Sequence, residues 1–187
     1  MTELTNFIQA YFPIPLNQVE TLASYFKYKT LDKGDFFLKS GSYCNELSFI
    51  LDGHLRIFET VEGREVTQWI SSRGDFITDI ASLVFDQPGR RNIQALKSVE
   101  LYSIYKEDYD RLPLIIPHWE RIEKQFLAKC FLTLEDRIFS FLSMDSAQRF
   151  QQMFAYKPEL FNEVPLHYLA SMLGMTPETL SRIRSKV

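Results

Sequence analysis

The chain has 187 residues, 45% of them apolar, and a formal net charge of −3 from 21 basic and 24 acidic side chains. That length and apolar content suit one large or two small domains with a buried core. The charge excludes a protein that is basic overall, so any contact with nucleic acid must be local, and its non-specific part weak and salt-sensitive.

Cys44 and Cys130 are far apart in sequence and belong to no Cys/His cluster. That fits a reducing cytoplasm and offers no metal-site spacing. The N-terminus lacks a basic segment followed by an apolar one, and no apolar run reaches the length of a membrane span. The expected location is the cytoplasm, with no membrane partner. Three isolated histidines (His54, His118, His167) give neither a cupin-type metal cluster nor a haem-specific context. No Ser/His/Asp, Cys/His or phosphate-loop signature is present, so an enzyme is not expected.

In chain order, Asn17 to Phe26 reads as a short helix with Val19, Leu22 and Phe26 facing inward. Six of the seven glycines (Gly34, Gly41, Gly53, Gly63, Gly74, Gly89) then fall 7 to 15 residues apart. Between them lie runs rich in β-branched and aromatic residues: DFFLK, ELSFILD, HLRIFETV, EVTQWIS and DFITDI, followed by NIQALK and ELYSIY. Short strands with regularly placed turn glycines predict an antiparallel sandwich or barrel. A hairpin is expected around Glu62, Gly63 and Arg64.

After Pro117 the texture changes. From His118 to Phe150 there is neither glycine nor proline. Leu127, Cys130, Leu134, Ile138 and Phe141 recur three or four residues apart, and Trp119, Ile122 and Phe126 extend the stripe upstream. This predicts one long amphipathic helix, or two with a break near Thr133. Its stripe is either a dimer seam or a face packed within its own protomer. The seam is favoured, because DNA-reading helices usually work in two-fold pairs. Between Ser143 and Val164, residues Arg149 to Tyr156 read as helical.

The most specific stretch is VPLHYLASMLGMTPETLSRIRSKV, Val164 to Val187. Leu166, Leu169, Ala170 and Leu173 share one helical face. Gly174 supplies a turn, Thr176 a helix cap, and Pro177 a first helical residue. In the second helix Leu180, Ile183 and Val187 face inward, which turns Glu178 and Arg182 outward with Ser181 and Ser185 beside them. The pattern is that of a helix-turn-helix; an ordinary helical hairpin remains the plain alternative. Candidate DNA contacts are Thr176, Pro177, Glu178, Thr179, Ser181, Arg182, Ser185 and Lys186.

The order of elements, with KGDFFLKSG, FILDGHLRIF, GDFI and the closing TPETLSRIR, resembles the bacterial Crp/Fnr regulators over essentially the whole chain. The resemblance implies an α+β protein in three parts. These are an antiparallel β-roll of the cyclic-nucleotide-binding jelly-roll type (residues 1–116), a dimerisation helix (117–142) and a C-terminal winged-helix-like helix-turn-helix domain (143–187). A β wing would be short or absent. It implies a homodimer on double-stranded promoter DNA, with RNA polymerase as a further partner. The family's base-reading Glu and Arg fall on Glu178 and Arg182, suited to cytosine and guanine edges. Pro177 stands where the cyclic-AMP receptor has another base-reading arginine, so the half-site should differ.

The effector pocket of the family would fall on Gly74, Thr78, Asp79, Ile80, Arg90, Arg91 and Asn92. Here the sequence departs from the pattern. Thr78 replaces a turn glycine that allows close approach of a phosphate, Asp79 is shorter than the usual glutamate, and Asn92 replaces a hydroxyl residue. The long helix also lacks Ser and Thr between Trp119 and Phe131. These departures argue against cyclic AMP. Arg90 and Arg91 are either an anion site or a solvated turn, and no cofactor is assigned.

Overall fold

The computed structural model describes residues 2–186. Two helices open the chain, α1 (Thr2–Tyr11) and α2 (Leu16–Ala23). Eight strands follow: β1 (Lys27–Leu31), β2 (Phe36–Leu38), β3 (Glu46–Asp52), β4 (Leu55–Val61), β5 (Arg64–Ser71), β6 (Phe76–Ile77), β7 (Asn92–Ala95) and β8 (Val99–Tyr105). A short helix, α3 (Ile80–Phe85), interrupts them between β6 and β7. The strands form two four-stranded antiparallel sheets, ordered β1-β8-β3-β6 and β2-β7-β4-β5. The expected α+β fold with a jelly-roll β domain is what the chain adopts.

Leu38, Ile50, Leu55, Ile77, Ile93, Val99 and Leu101 are buried together as the β domain's own core. The hairpin turns on Glu62 and Gly63, both with positive φ (51° and 76°), the mirror-image turn that matches strand twist. Strand β3 is buried on both faces, which explains why ELSFILD shows a continuous apolar run rather than alternation. One face carries Leu47 and Phe49 into a second cluster with Leu4, Ile8 and Phe12 of the N-terminal segment. Helix α1 and strand β1 were not anticipated. The polar TELTN obscures the 4-8-12 apolar spacing of α1, and the two lysines and threonine of KYKTL hide an edge strand whose burial is slight.

Two short helices, α4 (Lys106–Tyr109) and α5 (Leu112–Ile115), lead to α6, an unbroken 25-residue helix, Trp119–Ser143. The break considered near Thr133 is absent; the Thr133 hydroxyl bonds back to the Lys129 carbonyl and the helix continues. It ends where Met144 turns extended and Asp145 caps α7 (Ser146–Tyr156) in a reciprocal box with Gln148. Then come α8 (Leu160–Glu163), α9 (Leu166–Met172) and α10 (Pro177–Arg184). The helical reading of Arg149 to Tyr156 holds. Among the described residues after Tyr105 no strand occurs, so there is no β wing there.

The helical domain sits on β5. Ile70 is part of its core with Phe150, Phe161, Leu169, Ala170 and Leu180. Polar bonds fix the junction. The Ser171 hydroxyl accepts from the Thr67 amide at 2.9 Å. Lys157, only 7% exposed, donates to Ser72 at 2.7 Å and pairs with Asp75. The guanidinium of buried Arg56 lies 3.8 Å from the Tyr168 ring centroid.

Candidate nucleic-acid interface and sensor loop

Helix α10 is anchored before it is exposed. Leu180 is fully buried and Ile183 packs against the same cluster; Val187, read as part of that face, lies outside the described residues. The Thr176 hydroxyl caps α10 by accepting from the Thr179 amide at 3.2 Å. Gly174 has φ +65°, and a Cβ there would meet a Phe141 ring carbon at 2.7 Å, so the turn needs glycine on both backbone and steric grounds. These contacts turn Glu178, Ser181, Arg182, Ser185 and Lys186 to solvent, with Thr176 and Pro177 exposed beside them and Thr179 half-buried.

The electrostatics suit an acceptor beside a donor. The Glu178 carboxyl is held below its ordinary pKa, first by its own backbone amide and then by the Thr176 hydroxyl, so it is ionised at neutral pH. Arg182 is exposed, and its guanidinium has no hydrogen-bond partner among the described residues.

The sensor residues are arranged differently. Thr78 donates to the Glu46 carbonyl at 2.8 Å. Asp79 caps α3 by accepting from the Ser82 amide at 2.9 Å. Asn92 accepts from the Ser40 amide at 3.1 Å, and Arg91 folds back onto the Arg90 carbonyl. The loop between them is zipped to residues 41–42 by two backbone bonds, Gly41 to Gly89 and Gly89 to Ser42, both 2.8 Å. A Cβ on Gly89 would lie 2.6 Å from Leu38, which shows how closely the loop is seated. Ile80 opens α3. Gly74 belongs elsewhere: it turns at φ +83° against Phe7 of α1 and takes no part in this cluster. The structure thus brings together Thr78, Asp79, Asn92 and the arginine loop, and separates Gly74 from them.

The long helix carries two apolar faces, which corrects the choice between seam and core. Trp119, Ile122 and Phe126 are buried with Phe12 and Tyr109 in the same protomer, and Leu127 and Cys130 pack against that cluster. Trp119, Ile122 and Phe126 are therefore not free for a partner, whereas Leu127 and Cys130 are half-buried. At about 100° per residue, an adjacent face carries Phe131, Leu134, Ile138 and Leu142, which are 66%, 52%, 62% and 80% exposed. Phe141 lies on the flank, 40% exposed, against the guanidinium groups of Arg137 and Arg149. A single stripe merged the two faces in sequence because they overlap in spacing.

Residues 28–113 match the cyclic nucleotide-binding domain family. No curated protein sequence matches the chain. Its fold is shared by several solved proteins. FixK2 from Bradyrhizobium japonicum has a TM-score of 0.71 at 14% identity, covering 86% of this chain and 83% of that one. A CooA mutant from Carboxydothermus hydrogenoformans has 0.63 at 17% identity, covering 89% and 78%. The catabolite activator protein of Thermus thermophilus has 0.58 at 23% identity, covering 92% and 83%. Among the described residues, no helix is long and apolar enough to cross a membrane.

Proposed function

We propose, for a chain whose residues 28–113 match the cyclic nucleotide-binding domain family and whose fold is that of the Crp/Fnr regulators, sequence-specific binding to double-stranded promoter DNA as a cytoplasmic homodimer that regulates transcription. The observation that carries this reading is α10. It is a capped helix anchored by Leu180, with an ionised carboxylate and an uncommitted guanidinium one turn apart on its open face. Arg182 is assigned to a guanine edge and Glu178 to a cytosine amino group. Thr176, Thr179 and Ser181 are assigned to phosphates near the helix N-terminus, where amides and dipole favour an anion. Pro177, Ser185 and Lys186 complete the contact surface.

The dimer is assigned to the exposed face of α6. Phe131, Leu134, Ile138 and Leu142 recur at spacings of three and four, the pattern of a helix–helix seam. An apolar stripe of that kind is costly in water and marks an association surface. Two such chains would set two copies of α10 against successive major grooves. RNA polymerase is proposed as the downstream partner, with no surface assigned to it, and no catalytic role is proposed. The closed sensor loop supports a regulator that needs no cyclic AMP, because Thr78, Asp79 and Asn92 are already bonded within the protein.

Selection from a random double-stranded pool tests the whole reading. The expected product is an inverted repeat with half-site centres about 10 bp apart, enriched equally with and without cyclic AMP. Failure to enrich any sequence, or enrichment only with the nucleotide, would reject the DNA or the sensor part of the proposal respectively.

A further inference from the structure

A cleft of about 260 Å³ opens where α6, α7, α9 and β5 meet. Its walls are Trp69, Phe141, Met153 and Met172, with Arg137 and Arg149 reaching into it. Arg137 lies 4.6 Å from the Trp69 ring centroid and 5.5 Å from that of Phe141. Arg149 lies 5.1 Å from the same Phe141 ring.

Among the described residues, arginines paired with carboxylates are Arg56, Arg73 and Arg111; the two in the cleft are not. Arg137 gives one hydrogen bond, to the Met172 carbonyl at 3.0 Å. Arg149 is spent within the protein, donating to the Leu173 and Met144 carbonyls at 3.0 and 2.7 Å and to the Ser146 hydroxyl at 3.4 Å. Asp136 also lines the cleft but forms no ion pair, so the charged lining is two arginines against one carboxylate. Burial pulls the Arg137 pKa down to about 10, the mark of a cation without a counter-charge.

We propose that this cleft binds a small aromatic carboxylate. A guanidinium has five donors in a planar fork, and Arg137 uses one partner. A carboxylate would accept from the remainder bidentately and supply the missing counter-charge. The ring walls select a flat apolar body. The volume is below the usual range of about 300–1,000 Å³ for ligand pockets, which limits that body to one or two rings.

Because the cleft touches the long helix, the β domain and the helices that carry α10, an occupant would bias their arrangement. That consequence rests on the DNA-binding reading; the binding itself does not.

The test uses the full chain, labelled with nitrogen-15, and 2-naphthoate as the probe. Only Trp69 and Trp119 have indole N–H signals, and Trp69→Phe assigns them. The expected result is a saturable shift of the Trp69 signal, with Trp119, which is buried in another cluster, unmoved. The neutral isostere 2-naphthamide should bind at least about tenfold more weakly, as should Arg137→Gln toward naphthoate. Met153→Trp, which fills the cleft, should abolish the shift. No shift, equal shifts at both tryptophans, equal binding of the amide, or full binding by the filled variant would each overturn the site. If Arg137→Gln does not fold by circular dichroism, the amide and the filled variant decide the matter.

Discussion

The reading helix and the sensor loop hold similar polar side chains and dispose of them in opposite ways. On α10 the anchoring is done by Leu180 and the Thr176 cap, which leaves the Arg182 guanidinium with no partner among the described residues. In the loop from Thr78 to Asn92, the Thr78, Asp79 and Asn92 side chains already bond neighbours, while the Arg90 side chain stays exposed. Polar groups spent on one another build structure, and those left over at an ordered surface are available for recognition. By that standard the face of α10 is open, as the proposed DNA contact requires, and the Thr78, Asp79 and Asn92 cluster is closed.

The contrast breaks first if α10 loses its anchor. Leu180→Ala removes a fully buried side chain from the helical core and should cost about 2–5 kcal/mol. Denaturant unfolding followed by circular dichroism should show that loss, together with loss of DNA binding. A loss below about 1 kcal/mol would mean the helix is held by something other than Leu180.

Arg182→Ala addresses the open face without touching the anchor. Discrimination between operator and non-operator DNA should fall by about 1–3 kcal/mol per half-site, with the melting temperature unchanged. Equal selectivity in the variant would remove Arg182 from base reading. Sensor residues respond in the reverse sense. Asp79→Ala deletes the cap of α3 and should cost about 1 kcal/mol of stability. Calorimetry should show no saturable heat with cyclic AMP in either the parent or the variant. An Asp79 variant of unchanged stability, in a protein that binds the nucleotide, would reopen the site.

How legible these regions were in sequence follows the same division. The helix-turn-helix could be read because its signals are local: a cap, a proline, a turn glycine and one buried face within a few turns. The hairpin at Glu62 and Gly63 was legible for the same reason. The long helix was legible as a helix but not as a two-faced one. Trp119 and Phe126 are covered by α1, and polar TELTN gave no sign that a helix would come from the other end of the chain to cover them. The closure of the sensor loop was half visible. Thr78 and Asn92 announced a departure, but the pairing of Gly41 and Ser42 with Gly89 is a tertiary contact across some 50 residues of chain. The cleft around Arg137 and Arg149 left no trace in the pattern, since its walls come from four separate elements.

The smallest expected effect lies at His54, where the β domain meets the helical domain at Glu163 of α8. This buried ring places Nε2 3.0 Å from the Glu163 carboxylate, which Lys97 also holds at 2.7 Å, while Nδ1 has no partner. Burial lowers the His54 pKa below its ordinary 6.5, against the opposing pull of Glu163. The unfolded chain therefore takes up a proton at a higher pH than the folded one. Stability is complete above about pH 6.5 and declines as the pH falls below it, until folded His54 is itself protonated. Glu163 acts in the same direction at lower pH, its pKa depressed first by Lys97 and then by His54. Thermal melts between pH 7.5 and 5.5 should show the decline. His54→Gln keeps a donor toward Glu163 and has no proton to gain, so its melts should flatten over that range. A parent protein that gains stability on acidification, or a variant that keeps the full slope, would place the titrating group elsewhere than this junction.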